Sequence, residues 1–270
     1  METGLAGKVI LVTGASGGIG GAIAEALAAE GANLVLHAHR HRATAERLAE
    51  ALPTASLVLQ ADLRREEAVE RLFDEAAAHF GSLHALVANA GFWREAAVPI
   101  HRLSLTEWEH TLATDLTTVF LCARGFLRHL ESARPEAASI VFIGSTAALF
   151  GEEGHADYAA AKAAVVHGLT RSLKNEIVRL VPRGRVNAVC PGWTLSPMTE
   201  DALADGETLR RVLQTRALRR LARPEDVARM VVFLLSDRLA GHVTGEVVAV
   251  AGGMEGRLLH AAEAIDPADA

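Results

Sequence analysis

A short apolar run, Lys8-Val-Ile-Leu-Val-Thr13, leads straight into Gly14-Ala-Ser-Gly-Gly18-Ile-Gly20, and an apolar-periodic stretch from Ala22 to Ala29 follows. The order reads strand, glycine turn, helix. It opens a βα unit, because the bare glycines let the helix pack closely on the strand. The start of such a helix presents unpaired N–H groups and a positive dipole end, which suits a pyrophosphate. The spacing is G-x-x-x-G-x-G rather than the G-x-G-x-x-G of the standard dinucleotide fingerprint.

The rest of the chain continues the pattern. Strand-like runs fall near 9–13, 34–38, 56–61, 85–88, 140–144, 186–190 and 247–251. Helical patterns fall between them, near 19–30, 41–52, 65–80, 105–131, 157–180 and 224–235. This alternation predicts an α/β fold, a single-domain Rossmann-type doubly wound parallel sheet of about seven strands flanked by helices. The domain is expected over 1–255, with an Ala-rich, acidic and partly loose tail over 256–270. Ligands of such sheets sit at the carboxyl ends of the strands. Thr13, Ala38, Asp62, Asn89, Ser145 and Pro191 all fall at or just after expected strand ends, which points to one shared site.

Chemistry enters with Tyr158-Ala-Ala-Ala-Lys162 and with Ser145, 13 residues before the tyrosine. A phenol has a pKa near ~10, and lowering it to near ~7 takes roughly 4 kcal/mol of preferential phenolate stabilisation. A lysine at i+4 on a helix shares the tyrosine's face and can supply much of that. A serine hydroxyl on a neighbouring loop can hold a substrate oxygen. The set suits proton transfer to or from an alcohol or carbonyl oxygen.

Composition narrows the partners. Lys and Arg total 27 against 33 Asp and Glu, a net charge of −6 with no large basic block, which argues against nucleic acid. No apolar run reaches the ~18–20 residues that span a bilayer, so no membrane is expected. The start lacks the basic-then-apolar pattern of a secretory signal, and a cytoplasmic location is expected. Cys122 and Cys190 both sit in apolar contexts and read as buried thiols, with no metal site expected.

Taken together, Thr13-Gly14-x-x-x-Gly18-x-Gly20, Asp62, Asn89-Ala90-Gly91, Ser145, Tyr158-x-x-x-Lys162, Pro191-Gly192, Thr244-Gly245 and Gly252-Gly253 appear in the order of the classical short-chain dehydrogenase/reductases. The chain resembles that family from about Gly7 to about Gly253. The resemblance implies hydride transfer between a nicotinamide cofactor and a small carbonyl or secondary alcohol. Ser145 would bond the substrate oxygen, Tyr158 would act as acid and base, and Lys162 would tune the tyrosine and hold the ribose. It places Gly14, Ser16, Gly18, Ile19, Gly20, His39, Arg40, Asp62, Leu63, Asn89, Ala90, Gly91, Pro191, Gly192 and Thr194 around the cofactor, beside Tyr158 and Lys162. Thr194 would bond the carboxamide. Asp62 would meet the adenine, a role compatible with capping the next helix. Family habit implies a homotetramer.

Cofactor choice is read after the second strand, in Leu36-His37-Ala38-His39-Arg40. An Asp or Glu there would favour a free ribose 2′-hydroxyl. The position falls on Ala38, while Arg40 can bind a 2′-phosphate bidentately. NADP(H) is therefore expected, with NAD(H) as the alternative. The segment also resembles the matching stretch of pteridine reductases. Gly17 lacks the basic side chain often found there in NADP-preferring relatives.

One departure stands out. The family places an asparagine in Trp108-Glu-His-Thr-Leu-Ala-Thr-Asp115-Leu-Thr-Thr-Val-Phe120, where this chain has Asp115. The asparagine binds a water that connects the lysine to solvent. A carboxylate can accept from that water or from Lys162 but donates nothing, and its charge opposes tyrosinate formation. Asp115 is thus a candidate member of the catalytic set, and a catalytically weak nucleotide-binding protein is the competing reading. Segments 92–104, 147–157 and 193–220 are expected to shape the substrate pocket. The last reads as helical and basic, with Arg210, Arg211, Arg216, Arg219 and Arg220 either solvated or facing an anionic carrier. His155 reads as a loop-packing residue.

Overall fold

The computed structural model describes residues 2–258 and 260–265. The chain runs β1 (Val9–Val12), α1 (Gly18–Ala29), β2 (Asn33–Ala38), α2 (Arg42–Ala51), β3 (Ser56–Gln60), α3 (Glu66–Phe80), β4 (Ala85–Ala88), α4 (Leu105–Leu112), α5 (Thr118–Ala133), β5 (Ala137–Ile143), α6 (Ala147–Phe150), α7 (Ala156–Ala163), α8 (Thr170–Leu180), β6 (Arg183–Pro191), α9 (Glu200–Ala204), α10 (Gly206–Gln214), α11 (Pro224–Leu235), α12 (Asp237–Ala240) and β7 (Val247–Val250). The strands form one parallel sheet in the order β3-β2-β1-β4-β5-β6-β7. The doubly wound architecture is as expected.

Both faces of the sheet are covered, so β1 is apolar at every position. Val9 and Leu11 point into a layer with Phe73 of α3, Phe126 of α5 and Ile177 of α8. Ile10 and Val12 point the other way, against Ile23 and Leu27 of α1 and Val231 of α11. The strand order reverses at β1, between β2 and β4. Parallel sheets open a crevice at that switch point, and the glycine turn exits into it.

Two long helical stretches contain π turns that periodicity alone does not reveal. Ala113–Thr117 joins α4 to α5, and Ala164–Leu169 joins α7 to α8. Such turns often mark functional sites. The first carries Asp115, and the second begins two residues after Lys162.

The stretch 193–220 is less helical than expected. It holds two short helices, broken where Asp205 accepts from the Thr208 N–H at 3.0 Å and starts α10. Four of its five arginines are engaged, and only exposed Arg210 has no partner among the described residues. Arg216 is fully buried and donates to the carbonyls of Trp193 and Arg220. Arg211 pairs with Glu207, Arg220 pairs with Asp226, and Arg219 donates to the Ala264 carbonyl. Within the stretch read as a tail, Ile265 packs against Leu213 and Leu221. A His260 ring nitrogen lies 2.8 Å from the Arg216 carbonyl. Residues 266–270 lie outside the described part. Cys122 and Cys190 are buried free thiols. No helix among the described residues is long and apolar enough to cross a membrane.

Candidate active site

The exit of β1 is held by side-chain bonds from elsewhere. Thr13 Oγ1 accepts from the N–H groups of Asn89 and Ala90, both at 2.9 Å. Asn89 Nδ2 donates back to the Thr13 carbonyl at 3.0 Å. The ends of β1 and β4 are thus locked side by side. Gly14 takes φ +67°, a left-handed conformation that glycine adopts freely. A side chain at Gly20 would collide with the Gly14 carbonyl, and one at Gly18 would press on Ser196 and Pro197.

His37 completes the turn, a role the sequence did not disclose. Its Nδ1 accepts from the Gly14 N–H at 3.2 Å, and its Nε2–H donates to the Ala61 carbonyl at 3.0 Å. Burial lowers its pKa to about 4, so the ring is neutral and can accept.

A cavity of about 660 Å³ opens from this turn. It is lined by Gly14, Ser16, Gly18, Ile19, Gly20, His39, Arg40, Asp62, Leu63, Asn89, Ala90 and Gly91 on the side of β1 to β4. Ser145, Tyr158, Lys162, Pro191, Gly192 and Thr194 line it on the side of β5 and β6. Every residue placed around the cofactor or in the catalytic set therefore borders one space, except Asp115, which lies buried behind Gly91; Thr13 and Ala38 do not line it. The trough left by the bare glycines, followed by exposed Arg40, fits an extended dinucleotide.

One local role differs from expectation. Asp62 does not cap α3, whose N-cap residue is Arg65, three positions later. Asp62 instead accepts from the Arg64 N–H and binds the Arg64 guanidinium in a fork, at 2.9 and 2.8 Å. That guanidinium holds the carboxyl well below the usual carboxylate range. The Thr194 hydroxyl donates to the Gly192 carbonyl at 2.9 Å, so its proton is already engaged.

At the reaction centre, Lys162 Nζ sits 5.5 Å from the centre of the Tyr158 ring. The Ser145 hydroxyl accepts from the Ala147 N–H at 3.1 Å, and it lies near enough to the phenol to favour its ionisation. Asp157, one residue before the tyrosine, accepts from Thr111 Oγ1 at 2.6 Å and pairs with Arg94 at 3.2 Å. These contacts bolt α7 to α4 and to the 92–104 loop. Burial opposes ionisation of Asp157, but the Thr111 and Arg94 bonds outweigh it and keep its pKa low.

Asp115 contacts the ammonium directly. Its Oδ1 lies 3.2 Å from Lys162 Nζ and accepts from the Phe92 N–H at 3.1 Å. Its Oδ2 is buried without a partner among the described residues. A side chain at Gly91 would come within 2.6 Å of Asp115 Oδ1 and 3.0 Å of Nζ, so glycine there is what lets the pair close. Burial pushes the Asp115 carboxyl up, against the pull of Lys162. Burial pulls the lysine down, but Asp115 and Tyr158 more than compensate, and its pKa is raised.

The phenol follows the same logic. Burial raises the Tyr158 pKa most, Lys162 lowers it, and Asp115 raises it again. Side chains alone therefore leave this tyrosine less acidic than free phenol, contrary to the expected depression. Burial is the main cause, and Asp115, which already pairs with the lysine, adds to it.

Comparison with known proteins gives the family. A family model described as enoyl-(acyl carrier protein) reductase matches residues 14–255. A cis-4-hydroxycyclohexanecarboxylate dehydrogenase of Sinomonas cyclohexanicum is 40% identical over 94% of this chain and 98% of that protein. The 3-oxoacyl-(acyl-carrier-protein) reductase FabG of Aquifex aeolicus is 37% identical over 94% of this chain and all of its own length. The FabG of Escherichia coli is 36% identical over 92% of this chain. The chain belongs to the short-chain dehydrogenase/reductase family and is an oxidoreductase of that family.

Proposed function

We propose that the protein interconverts a carbonyl and a secondary alcohol with NADP(H), using Tyr158 as the acid and base. The observation that carries this is the convergence of Ser145, Tyr158 and Lys162 on the cavity that the glycine turn opens. The nicotinamide supplies or accepts the hydride. Ser145 bonds the substrate oxygen and holds it against the phenol. In reduction, Tyr158 transfers its proton to that oxygen as charge develops there; in oxidation it removes the alcohol proton. Lys162, whose Nζ lies 5.5 Å from the centre of the ring, stabilises the phenolate. Asp115 keeps Lys162 protonated and placed, at the cost of part of its effect on the tyrosine.

Arg40 supports the phosphorylated cofactor. It lies on the cavity wall after β2 with no ion-pair partner among the described residues, and the expected acidic position is Ala38. NAD(H) is the alternative. Family habit extends the reading to a cytoplasmic homo-oligomer.

The paired Lys162 and the raised phenol favour one second reading, a nucleotide-binding protein with little turnover. Loss of NADPH absorbance with a panel of ketones and 3-oxoacyl thioesters separates the two. Turnover supports the reductase; micromolar NADPH binding without turnover supports the second reading.

A further inference from the structure

Beyond the phenol, the cavity is walled by aromatic rings and one carboxylate. Trp93 and Trp193 meet edge to face, with centroids 5.5 Å apart and planes at 77°. The corner is rigid, because Trp93 stacks on buried His155 at 5.1 Å and 20°. The nitrogens of that histidine lie 2.7 Å from the Arg94 carbonyl and 3.1 Å from the Glu153 carbonyl. Glu152 closes the corner. Its Oε1 accepts from Trp93 Nε1 at 3.0 Å and lies 3.4 Å from His155 Nδ1. Its Oε2 has no hydrogen-bond partner among the described residues, and the residue lines the same cavity as Tyr158. Its charge is near enough to oppose ionisation of the phenol.

The positive charges lie elsewhere. Arg40 and Arg64 line the opposite end of the cavity, and Arg64 is forked onto Asp62. Arg94 is held by Asp157 and the Ala96 carbonyl, and Lys162 by Asp115. Of the arginines that could greet a carrier protein, Arg211, Arg216, Arg219 and Arg220 are held by carboxylates or carbonyls, and exposed Arg210 does not line this cavity.

We infer that the substrate is a ring-bearing ketone or secondary alcohol that carries a hydrogen-bond donor, a hydroxyl or an amine, on the side away from the reacting carbon, and that carboxylates are selected against. This rests on the reductase reading of the same site. A flat ring fits the tryptophan corner, and aromatic walls reward it beyond area alone. A donor meets Glu152 Oε2 in a charge-assisted bond. A carboxylate there meets like charge with no free cation, which is how a site rejects a near-isostere. The preference is thus opposite to that expected of a site built for a hydroxycyclohexanecarboxylate.

The test compares kcat/KM for 4-hydroxycyclohexanone, unsubstituted cyclohexanone and 4-oxocyclohexanecarboxylate, each with NADPH and with NADH, in wild type and Glu152→Gln. The glutamine keeps an acceptor for Trp93 Nε1. Wild type should favour the hydroxyketone over the carboxylate by roughly 10- to 100-fold, the worth of one hydrogen bond to a charged group. Glu152→Gln should shrink that ratio, chiefly by raising kcat/KM for the carboxylate. Turnover without discrimination, or an unchanged ratio in Glu152→Gln, overturns the assignment of Glu152 and leaves the reductase intact. No turnover of any of these ketones by wild type with either cofactor overturns the substrate class. Turnover of the acyclic thioesters of the wider panel would then keep the reductase reading, and its absence there would remove that reading as well.

Discussion

At the β1 exit a ligand would meet backbone; across the same cavity the reaction centre is made of side chains from the π turn at Asp115, the β5 exit and α7. The first region works because side chains are missing. Gly14, Gly18 and Gly20 clear a path, and Thr13, His37 and Asn89 spend their polar atoms on fixing the main chain. The second works by charge. A phenol, an ammonium and a carboxylate are packed out of water, and each shifts the others' protonation. A steric site is intolerant of added atoms, whereas a coupled electrostatic site is tuned by single charges.

The sharpest break between the two comes from a single added methyl group. Gly20→Ala places a carbon against the Gly14 carbonyl and Asn89 Nδ2. Overpacking of this kind costs about 1–3 kcal/mol. Thermal unfolding should show a lower Tm, and calorimetric titration should show NADPH binding largely lost. Unaltered binding would mean that the turn is not the phosphate cradle.

Arg40→Ala tests the far end of the same region, where charge rather than shape decides. Dissociation constants should show NADPH weakened roughly 10- to 100-fold, with NADH little changed. An unchanged preference between the cofactors would refute the role given to Arg40.

Asp115→Asn perturbs only the electrostatic region. Burial and Asp115 both raise the Tyr158 pKa, so removing the carboxylate charge lowers it. Alcohol oxidation needs the phenolate and therefore gains rate as pH rises through that pKa. The pH–rate midpoint should move to lower pH, with turnover at neutral pH kept or increased. A collapse of turnover, or a midpoint moved upward, would show that the carboxylate has a specific role.

The two regions were unequally legible in the sequence. The glycine turn is local: strand, turn and helix occupy 21 consecutive residues from Val9 to Ala29, so their pattern survives in one dimension. The seven strands were visible for the same reason, since each is a short apolar run. Tyr158 and Lys162 share one helix face, and Ser145 follows a strand. The sequence left open whether Asp115 meets the water or Lys162 directly, because the pair joins residues 47 apart through a π turn that has no compositional mark. His37 looked like part of a basic stretch, and only the fold carries the Gly14 N–H onto its ring. Arg216 looked solvated, because nothing local shows that the Trp193 and Arg220 carbonyls need it. The corner of Trp93, His155, Glu152 and Trp193 gathers three separate loops, and sequence marked the segments but not their contact.

The central claim is that the Tyr158 phenol moves the proton while the rest of the site positions and tunes it. The most direct measurement pairs NADPH binding, followed by nucleotide fluorescence, with steady-state ketone reduction in Tyr158→Phe. Binding should match wild type, while turnover falls by about 10²- to 10⁴-fold, the usual contribution of a positioned acid or base. Turnover within a few-fold of wild type, with binding intact, would show that the proton reaches the substrate from another group.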